Sequence, residues 1–309
     1  MDTKHRPNFL VIGVQKAGTT SIYRYLSQHP QVYMSPVKET NFLERDWTGV
    51  VTKKPRKIDS LEKYLALFEK VEDEVAIGEA SPNYLFHHET SIPVIYDLVP
   101  EVKLVVILRN PIERAHSDYL MHIRDAIDGG DCRPLGEQAR QRPIKSFQIR
   151  KGFYCQSLKA FMDKFGADNL KVCLYDDLVQ DPVAMMQDIY RFIGVEDQFV
   201  PDTSVRAQKA AVPQNKTVHR VLQTRNPLRS LAGSVLRLVF PEKTRQAIRR
   251  YLLSLNYKDK SALPLSLEER RLLRDIYRED ILELQELLQR DLSSWLTLPE
   301  PARSKVEVP

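Results

Sequence analysis

The sequence feature that most constrains the fold is a short stretch near the start of the chain. Residues 8–21 read NFLVIGVQKAGTTS, and the apolar run 9–14 is long enough for a buried strand and far too short to cross a membrane. Gly13 and Gly18 can adopt backbone angles that are closed to other residues, and residues 19–21 supply hydroxyl groups and amides where the next helix would begin. The stretch therefore predicts a strand, a turn and a helix start that cradle an anion such as a phosphate.

The lysine of this loop is displaced from its usual place. In the phosphate loop of ATP and GTP enzymes, the Lys directly follows the second Gly and precedes a Ser or Thr that holds magnesium. Here Lys16 lies inside the loop and Thr19 stands where that Lys would be. The loop therefore keeps its anion-binding backbone without the standard metal–nucleotide pairing. An ordinary strand–turn–helix is the alternative, but two Gly, one Lys and three hydroxyl residues together favour anion binding.

A second apolar strand is followed by an arginine. The strand runs from Lys103 and ends in Arg109, and Pro111 then suits the first turn of a helix. A phosphate-loop ATPase or GTPase would need an Asp near such a strand end to hold magnesium. Arg109 and Ser117 are eight residues apart, so the guanidinium and a hydroxyl about two helical turns on can converge on one anion.

A third strand ends in a carboxylate. Residues 75–84 read VAIGEASPNY and predict a strand that ends in Glu79 and a proline turn. Because the carboxyl ends of parallel strands face the ligand crevice, Glu79 is expected to emerge beside the loop of Lys16. A Glu that caps the following helix is the simpler alternative. His87 and His88 come soon after, and we interpret them as surface or helix-start residues rather than catalytic ones.

These segments resemble the sulfotransferases that use 3′-phosphoadenosine 5′-phosphosulfate (PAPS). GVQKAGTTS is similar to the phosphosulfate-binding loop of that family, and the spacing Arg109-x7-Ser117 after a strand resembles its second signature, which holds the 3′-phosphate. The stretch from Glu79 to Tyr84 is similar to the segment that supplies the general base in several carbohydrate sulfotransferases. The resemblance covers roughly residues 9–295.

Looser matches accompany these motifs. Lys38, Glu39 and Phe42 are similar to a Lys-Glu-x-x-Phe-Phe segment on the acceptor side of the cleft, although position 43 is Leu, and a surface turn is the alternative. Residues 170–175 predict a strand whose last residue is Tyr175. Tyr175 also begins a Tyr-Asp-Asp-Leu segment that resembles one near the adenine in relatives; the alternative is a buried aromatic residue. Residues 206–216 stand where relatives close a basic loop over the nucleotide, but they lack the family's usual basic strings.

The resemblance implies a reaction and a set of site residues. The implied catalytic residues are Lys16, Glu79 and Lys38. The implied cofactor contacts are Lys16, Ala17, Gly18, Thr19, Thr20, Ser21, Arg109, Ser117, Tyr175, Arg206 and Lys216. The implied reaction is in-line transfer of a sulfuryl group from PAPS to a hydroxyl or amine, leaving adenosine 3′,5′-bisphosphate, with no metal. The acceptor would be a carbohydrate or a small metabolite.

Composition sets the broad class. The chain has 309 residues, 42% hydrophobic and 28% charged, which is enough for one large α/β domain. We expect a P-loop-like, mainly parallel sheet flanked by helices over residues 8–200, a nucleotide-covering loop and C-terminal helices over 201–296, and a tail over 297–309. Helices are predicted over about 218–255, and another begins at Ser266, with Glu269 completing a capping box. The predicted core-facing stripe of this last helix is Leu272, Leu273, Ile276, Leu284, Leu287 and Leu288. Residues 129–150 predict a polar loop.

Charge and cysteines refine this picture. The net charge is +5, yet residues 205–260 carry thirteen Lys or Arg and two acidic residues, which suits an anionic cofactor or acceptor or, equally, a solvated helical face. Cys132, Cys155 and Cys173 are spaced for neither a metal nor a disulfide framework, so we interpret them as free thiols. No signal peptide or membrane span is predicted, and the expected location is cytoplasmic. No nucleic-acid partner is expected, and the oligomeric state is left open.

Two other classes share parts of the pattern. A nucleotide kinase using ATP would have the loop and the α/β fold, but the displaced Lys16 and the Arg at position 109 argue against it. A non-catalytic binder of anionic glycans would have the basic segment. It would have no reason to keep Lys16, Glu79 and Arg109 at three strand ends.

Overall fold

The structure is a computed structural model that describes residues 6–44, 58–125, 133–204, 211–213, 257–259 and 264–299. The strands are β1 (Phe9–Gly13), β2 (Val32–Met34), β3 (Ala76–Ala80), β4 (Lys103–Leu108), β5 (Leu170–Leu174), β6 (Ala211–Pro213) and β7 (Tyr257–Asp259). The helices are α1 (Thr19–Leu26), α2 (Leu61–Leu65), α3 (His88–Leu98), α4 (Pro111–Asp125), α5 (Leu135–Gln141), α6 (Phe147–Arg150), α7 (Cys155–Phe165), α8 (Tyr175–Gln180), α9 (Pro182–Ile193) and α10 (Leu267–Leu288).

The chain divides into two compact units. The first contains residues 1–114, 151–207 and 279–295, and the second contains residues 115–150, 208–278 and 296–309. The division falls within α4 and within α10, so each of these helices contributes to both units. The single-domain organisation expected from the sequence stays a prediction.

A parallel five-stranded sheet forms the centre of the first unit. Its strand order is β2-β3-β1-β4-β5, and every neighbouring pair is parallel. All residues of β1 and β3 are buried. Position 78 of β3 must be a glycine, because the ring of Phe9 occupies the space that a Cβ of residue 78 would need. Buried apolar strands connected by helices are typical of parallel sheets. The predicted mainly parallel sheet flanked by helices is confirmed.

Local sequence signals explain where several helices begin. Ser60 accepts a hydrogen bond from the amide of Lys63 at the start of α2, and Asp181 accepts one from Ala184 at the start of α9. The predicted capping box of α10 is confirmed, since Ser266 and Glu269 exchange side-chain-to-backbone hydrogen bonds. Its core-facing stripe is confirmed in part: Leu273 and Leu284 are buried, whereas Leu272, Ile276, Leu287 and Leu288 are half-buried. Tyr277 and Ile281, which the prediction left out, complete the buried face.

The second unit corrects the loop predicted over residues 129–150. In the described part of this stretch, residues 135–150 contain α5, α6 and a turn of 3₁₀ helix over Pro143–Lys145. These helices are too short for an apolar stripe to reveal them, and side-chain hydrogen bonds from within the segment and from α10 hold them. Ser146 donates to Gln138 at 2.7 Å, and the hydroxyl of Tyr277 donates to the carbonyl of Ile149 at 2.8 Å.

Some predictions concern residues outside the described part of the chain. Cys155 and Cys173 are buried free thiols as predicted, and Cys132 lies outside the described residues. The helices predicted over about 218–255 also lie outside them. In the part of the chain that the structure describes, no helix is both long and apolar enough to cross a membrane.

A carboxylate from α10 holds the start of α7. Asp280 accepts hydrogen bonds from the amides of Tyr154 at 2.8 Å and Cys155 at 3.1 Å. Because the first amides of a helix have no partner within the helix, this side chain acts as a cap from 125 residues further along the chain. It also fixes Tyr154, whose hydroxyl donates to the carbonyl of Arg109 at 2.9 Å.

We predict that Asp280→Ala lowers the free energy of unfolding by about 1.5–3 kcal/mol, because two buried amides lose a charged acceptor. Urea denaturation followed by circular dichroism measures the change. The matched control is Asp275→Ala, which removes an exposed carboxylate from the same helix and should cost less than about 1 kcal/mol. Equal losses in the two variants would contradict the role of Asp280 as a cap.

Candidate active site

The loop between β1 and α1 has the form of an anion cradle. Lys16 and Gly18 both have left-handed backbone angles, with φ of 73° and 95°. Gly18 is the N-cap of α1 and offers no side chain to the first helical amides, which therefore face the loop. Thr19 and Ser21 are buried at the first turn, and Thr20 is half-buried between them. The predicted strand, turn and helix start are confirmed.

Gly18 is required by packing as well as by its backbone angle. A Cβ at this position would lie 2.6 Å from Cδ2 of Leu178 and 3.4 Å from Cδ2 of Tyr175. Both residues belong to α8, so the loop backbone packs closely against the helix that follows β5. Ala17 beside it is fully buried. Packing of Gly18 against α8 therefore fixes the position of the loop.

Arg109 joins this loop to Tyr175. Its guanidinium donates to the carbonyl of Lys16 at 2.9 Å and lies over the ring of Tyr175, 4.6 Å from the centroid. Arg109 follows the last residue of β4 directly, and Tyr175 is the first residue of α8 rather than the last of β5 as predicted. The strand ends of β1, β4 and β5 thus bring three sequence-predicted residues into contact.

The C-terminal end of the first unit holds α8 in place. The indole of the buried Trp295 donates to Asp176 at 3.2 Å, and Arg290 pairs with Asp177 at 2.5 Å. Asn110 donates to the carbonyl of Trp295 at 3.4 Å. The same short segment therefore contacts both the start of α8 and the residue after Arg109.

Glu79 lies on β3, next to β1, and it is fully buried. It pairs with Leu10 in the sheet register. Its Oε1 accepts from Thr40 at 2.5 Å, Ser81 at 2.5 Å and Tyr84 at 2.9 Å, and its Oε2 accepts from Tyr64 at 2.9 Å. The sequence predicted that Glu79 ends its strand and emerges beside the loop. It is instead the penultimate strand residue, and four hydroxyl groups enclose its carboxylate.

Three of these hydroxyl groups also accept hydrogen bonds from the backbone of residues 41–43, in the loop after β2. The amides of Asn41, Phe42 and Leu43 donate respectively to Ser81 Oγ at 3.0 Å, Thr40 Oγ1 at 3.2 Å and Tyr84 Oη at 3.1 Å. Each hydroxyl therefore accepts from a backbone amide and donates to the carboxylate. Chains of this kind strengthen each link by polarisation. The carboxylate is thus the centre of a network that fixes residues 40–43.

Burial and hydrogen bonding have opposite effects on this carboxyl group. Burial raises the pKa of Glu79 above the ordinary 4.5, and the hydroxyl donors lower it without cancelling that rise. The pKa values of Tyr64 and Tyr84 are raised well above 10 by burial and by the neighbouring Glu79, so both phenols stay neutral. A carboxylate with a raised pKa is a stronger base than an ordinary carboxylate, which suits it to take up a proton.

The remaining predicted residues are placed as follows. Lys38 lies on the loop after β2 and pairs with Glu39 at 2.5 Å, with 18% of its side chain exposed. Ser117 is buried on α4, in the second unit. Arg206 and Lys216 lie outside the described residues. His87 is the N-cap of α3, which His88 begins, so the helix-start interpretation is confirmed.

Sequence reasoning missed three residues near these groups. Thr40 and Tyr64 contact Glu79 from the loop after β2 and from α2, and Lys151 contacts Gln15 of the anion loop at 2.6 Å. Lys151 also helps to line a small cavity of about 10 Å³ with Phe86, Phe153 and others. No motif or spacing marks them, because their contacts are made between segments distant in the sequence.

Comparison with known proteins gives this site a family context. A family model described as "Sulfotransferase family" matches residues 7–199. The mouse bifunctional heparan sulfate N-deacetylase/N-sulfotransferase 4 is 29% identical over 63% of this chain and 23% of its own length. The rat carbohydrate sulfotransferase 15 is 25% identical over 94% of this chain and 55% of its own length. The chain thus spans about half the length, or less, of these curated relatives.

A solved structure agrees with the fold. The sulfotransferase from Alicyclobacillus acidocaldarius is 28% identical and superimposes with a TM-score of 0.69. The match covers 94% of this chain and 99% of that one. The predicted P-loop-like α/β class is therefore confirmed.

The geometry of Gly18 leads to a prediction. Gly18→Ala should destabilise the protein by about 1–2 kcal/mol from the left-handed backbone angle alone, and by more because the new Cβ meets Leu178. Gly194→Ala is the matched control, since Gly194 has φ of 83° but no heavy atom closer than 3.7 Å to the added Cβ. Thermal unfolding compares the two. An equal loss of stability in both variants would show that the loop does not need this close packing.

Proposed function

This chain belongs to the sulfotransferase family, and from that premise we propose that it transfers a sulfuryl group from PAPS to a hydroxyl or amine of an acceptor. The observation that carries the proposal is the placement of three groups at the carboxyl ends of the adjacent parallel strands β3, β1 and β4. These groups are the carboxylate of Glu79, the anion loop with Lys16, and Arg109. Ligands of open α/β sheets bind at this edge.

The loop and Arg109 fit the two phosphate groups of such a donor. The first-turn amides of α1 and the hydroxyls of Thr19 and Thr20 suit the 5′-phosphate, since every one of them donates hydrogen bonds. Arg109, held over Tyr175, suits the 3′-phosphate, because a guanidinium can bind two phosphate oxygens at once. Ser117 is proposed to share that phosphate on the family resemblance alone. Arg206 and Lys216 are proposed to add positive charge near that phosphate.

The reaction is proposed to be an in-line displacement at sulfur. A bond forms between the acceptor oxygen or nitrogen and the sulfur atom, and the bond between sulfur and the 5′-phosphate oxygen breaks. The acceptor's proton goes to Glu79, and adenosine 3′,5′-bisphosphate leaves. The ammonium group of Lys16 stabilises the charge that builds up on the leaving oxygen. Lys38, on the acceptor side, is proposed to orient the acceptor.

A carbohydrate is the first acceptor class to test. The supporting observation is that the curated relatives are named as heparan sulfate and carbohydrate sulfotransferases. Small metabolites with a free hydroxyl group are the second class. The cytoplasmic location stays a prediction.

The nucleotide assignment predicts a selective loss in Arg109→Ala. Calorimetry in EDTA should give an affinity for adenosine 3′,5′-bisphosphate about tenfold or more lower than in the parent, because one charge-assisted contact of about 1.5–3 kcal/mol is lost. The affinity for adenosine 5′-monophosphate, which lacks the 3′-phosphate, should change little.

The second ligand separates two roles of the side chain. Since Arg109 also holds the carbonyl of Lys16, an equal loss for both nucleotides would mean that it only supports the loop. Arg271→Ala, which removes an exposed guanidinium from α10, is the protein control and should leave both affinities unchanged. Magnesium-dependent binding of ATP as strong as that of the bisphosphate would favour a kinase instead.

The transfer assay predicts a base-dependent rate. Radiolabelled PAPS is supplied in EDTA with desulfated heparan oligosaccharides or a simple phenol, and Glu79→Gln should lower turnover by about 10²- to 10⁴-fold with nearly unchanged nucleotide affinity. The deprotonated carboxylate is the active form. The rate of the parent should therefore fall as the pH is lowered through the raised pKa of Glu79, above 4.5.

The competing base is a histidine. His88 begins α3, and His87 precedes it as the N-cap. The Nδ1 atom of His88 lies 3.0 Å from the hydroxyl oxygen of Ser157 on α7. If Glu79→Gln kept near-normal turnover while His87→Ala or His88→Ala abolished it without loss of nucleotide binding, Glu79 would not be the base. Absence of transfer by the parent protein to every acceptor would overturn the proposed function.

A further inference from the structure

The carboxylate of Glu79 is sealed from solvent on every side. The residue is 0% exposed, and both of its oxygens accept hydrogen bonds from neighbouring hydroxyl groups. An acceptor molecule therefore has no direct access to it in this arrangement. A base that is enclosed in this way can still take up a proton through one of the hydroxyl groups that touch it.

Burial distinguishes the four hydroxyl residues. Tyr64, Ser81 and Tyr84 are each 0% exposed, whereas Thr40 keeps 7% exposure. Thr40 also makes one of the two shortest contacts to the carboxylate, 2.5 Å from its Oγ1 to Oε1 of Glu79. Among the four hydroxyl residues, Thr40 is therefore the one that contacts the base and still keeps some exposed surface.

Thr40 lies on the loop after β2, in residues 35–41, the segment that the family resemblance assigns to the acceptor side. This loop runs along the end of β3, where the amide of Ser35 donates to the carbonyl of Gly78 and the amide of Glu39 donates to that of Ala80. Lys38 and Glu39 directly precede Thr40 in the sequence. The Oγ1 atom accepts from the amide of Phe42 and donates to Glu79. The hydroxyl of Tyr84 also lies 3.3 Å from it, but Tyr84 directs its proton to the closer Glu79 at 2.9 Å, so a second lone pair of Oγ1 remains for an incoming hydroxyl group.

We propose that Thr40 is a catalytic residue that relays the acceptor's proton to Glu79. This inference rests on the proposed function and deepens it. As the acceptor oxygen bonds to sulfur, its proton moves to Oγ1 of Thr40, and the hydroxyl proton of Thr40 moves to Oε1 of Glu79. Thr40 ends the step neutral, Glu79 ends it protonated, and the sulfur–oxygen bond to the leaving bisphosphate breaks. The two transfers occur together, because a threonine alkoxide or oxonium ion would be too unstable to form alone.

Tyr64 provides the contrast within the same network. Its hydroxyl donates to Oε2, the other carboxylate oxygen, and the ring is stacked on Phe42 with centroids 4.5 Å apart. Among the described residues, no hydrogen bond connects this hydroxyl to any group other than Glu79. Tyr64 therefore stabilises the carboxylate without offering a path to the acceptor. The titratable groups that contact Glu79 are Tyr64 and Tyr84, which stay neutral, and the nearby Lys38–Glu39 pair compensates its own charge.

The two residues can be compared by matched substitutions. Thr40→Val keeps the shape of the side chain and removes the relay hydroxyl, Thr40→Ser keeps the hydroxyl, and Tyr64→Phe removes a donor without touching the path. Single-turnover transfer from radiolabelled PAPS is measured across pH with desulfated heparan oligosaccharides as acceptor. Release of sulfate to water, in the absence of acceptor, gives a second readout.

The relay predicts different responses in rate and in pH dependence. At the high-pH plateau, Thr40→Val should lose about 10²- to 10⁴-fold in rate, close to the loss in Glu79→Gln, and Thr40→Ser should stay within about tenfold of the parent. Tyr64→Phe should lose far less plateau rate than Thr40→Val and should move the pH midpoint upward, because one donor to the charged form is lost. The double variant Thr40→Val with Glu79→Gln should be no slower than Glu79→Gln alone.

A solvent isotope experiment tests the path itself. In mixtures of light and heavy water, the single-turnover rate of the parent should curve with the deuterium fraction as expected for two protons in motion, and a straight line would overturn the relay. A Thr40→Val variant with near-parent turnover beside an inactive Glu79→Gln would refute the relay and leave the base assignment intact. Near-parent turnover in Glu79→Gln would instead refute the base assignment on which the relay depends.

Discussion

The enclosed carboxylate of Glu79 is the interaction on which the arrangement of the site depends. Removing a carboxylate from water is costly, and here four hydroxyl donors offset that cost. Three of those donors are themselves held by the consecutive amides of residues 41–43. The loop after β2, the helix α2 and the turn after β3 are therefore tied to one side chain. Any change to its charge or shape is expected to be felt in all three segments.

The parallel sheet explains why this anion lies beside a site for another anion. Strands β3, β1 and β4 are neighbours, so their carboxyl ends carry Glu79, the loop of Lys16 and Arg109 side by side. The hydroxyl network shields the negative charge of Glu79, while the loop amides and the guanidinium supply positive potential next to it. A base and a cationic cradle can thus coexist at one edge without a direct ion pair that would neutralise both.

The sequence predicts the parts of this site that depend on local spacing. The strand before Lys16, the helix start after Gly18 and the position of Arg109 after β4 follow from short motifs, and the structure agrees. The contacts that the sequence does not predict join distant segments. Tyr64 on α2 donates a hydrogen bond to Glu79 on β3, and Asp280 caps α7 from 125 residues away. No periodicity or spacing records such contacts, because they are decided by how the elements pack.

The same reason explains the two boundary errors. Glu79 has the context of a strand-end residue, but residues 35–39 extend along the end of β3 and the network covers its side chain, so it is buried within the strand. Tyr175 has the context of a last strand residue, but it starts α8 with its ring under Arg109. In both cases a long-range contact outweighs the local pattern, and in both cases the contact lies at the proposed site.

The most direct measurement of the central claim is a crystal structure of this protein grown with adenosine 3′,5′-bisphosphate in EDTA. The account predicts that the 5′-phosphate lies against the loop of residues 15–20 and that the 3′-phosphate contacts Arg109 and Ser117. It also predicts that the 5′-phosphate oxygen that would carry the sulfuryl group faces the side of the sheet where Glu79 and Thr40 lie. A nucleotide bound away from this loop, or bound with its 3′-phosphate in the loop, would contradict the account.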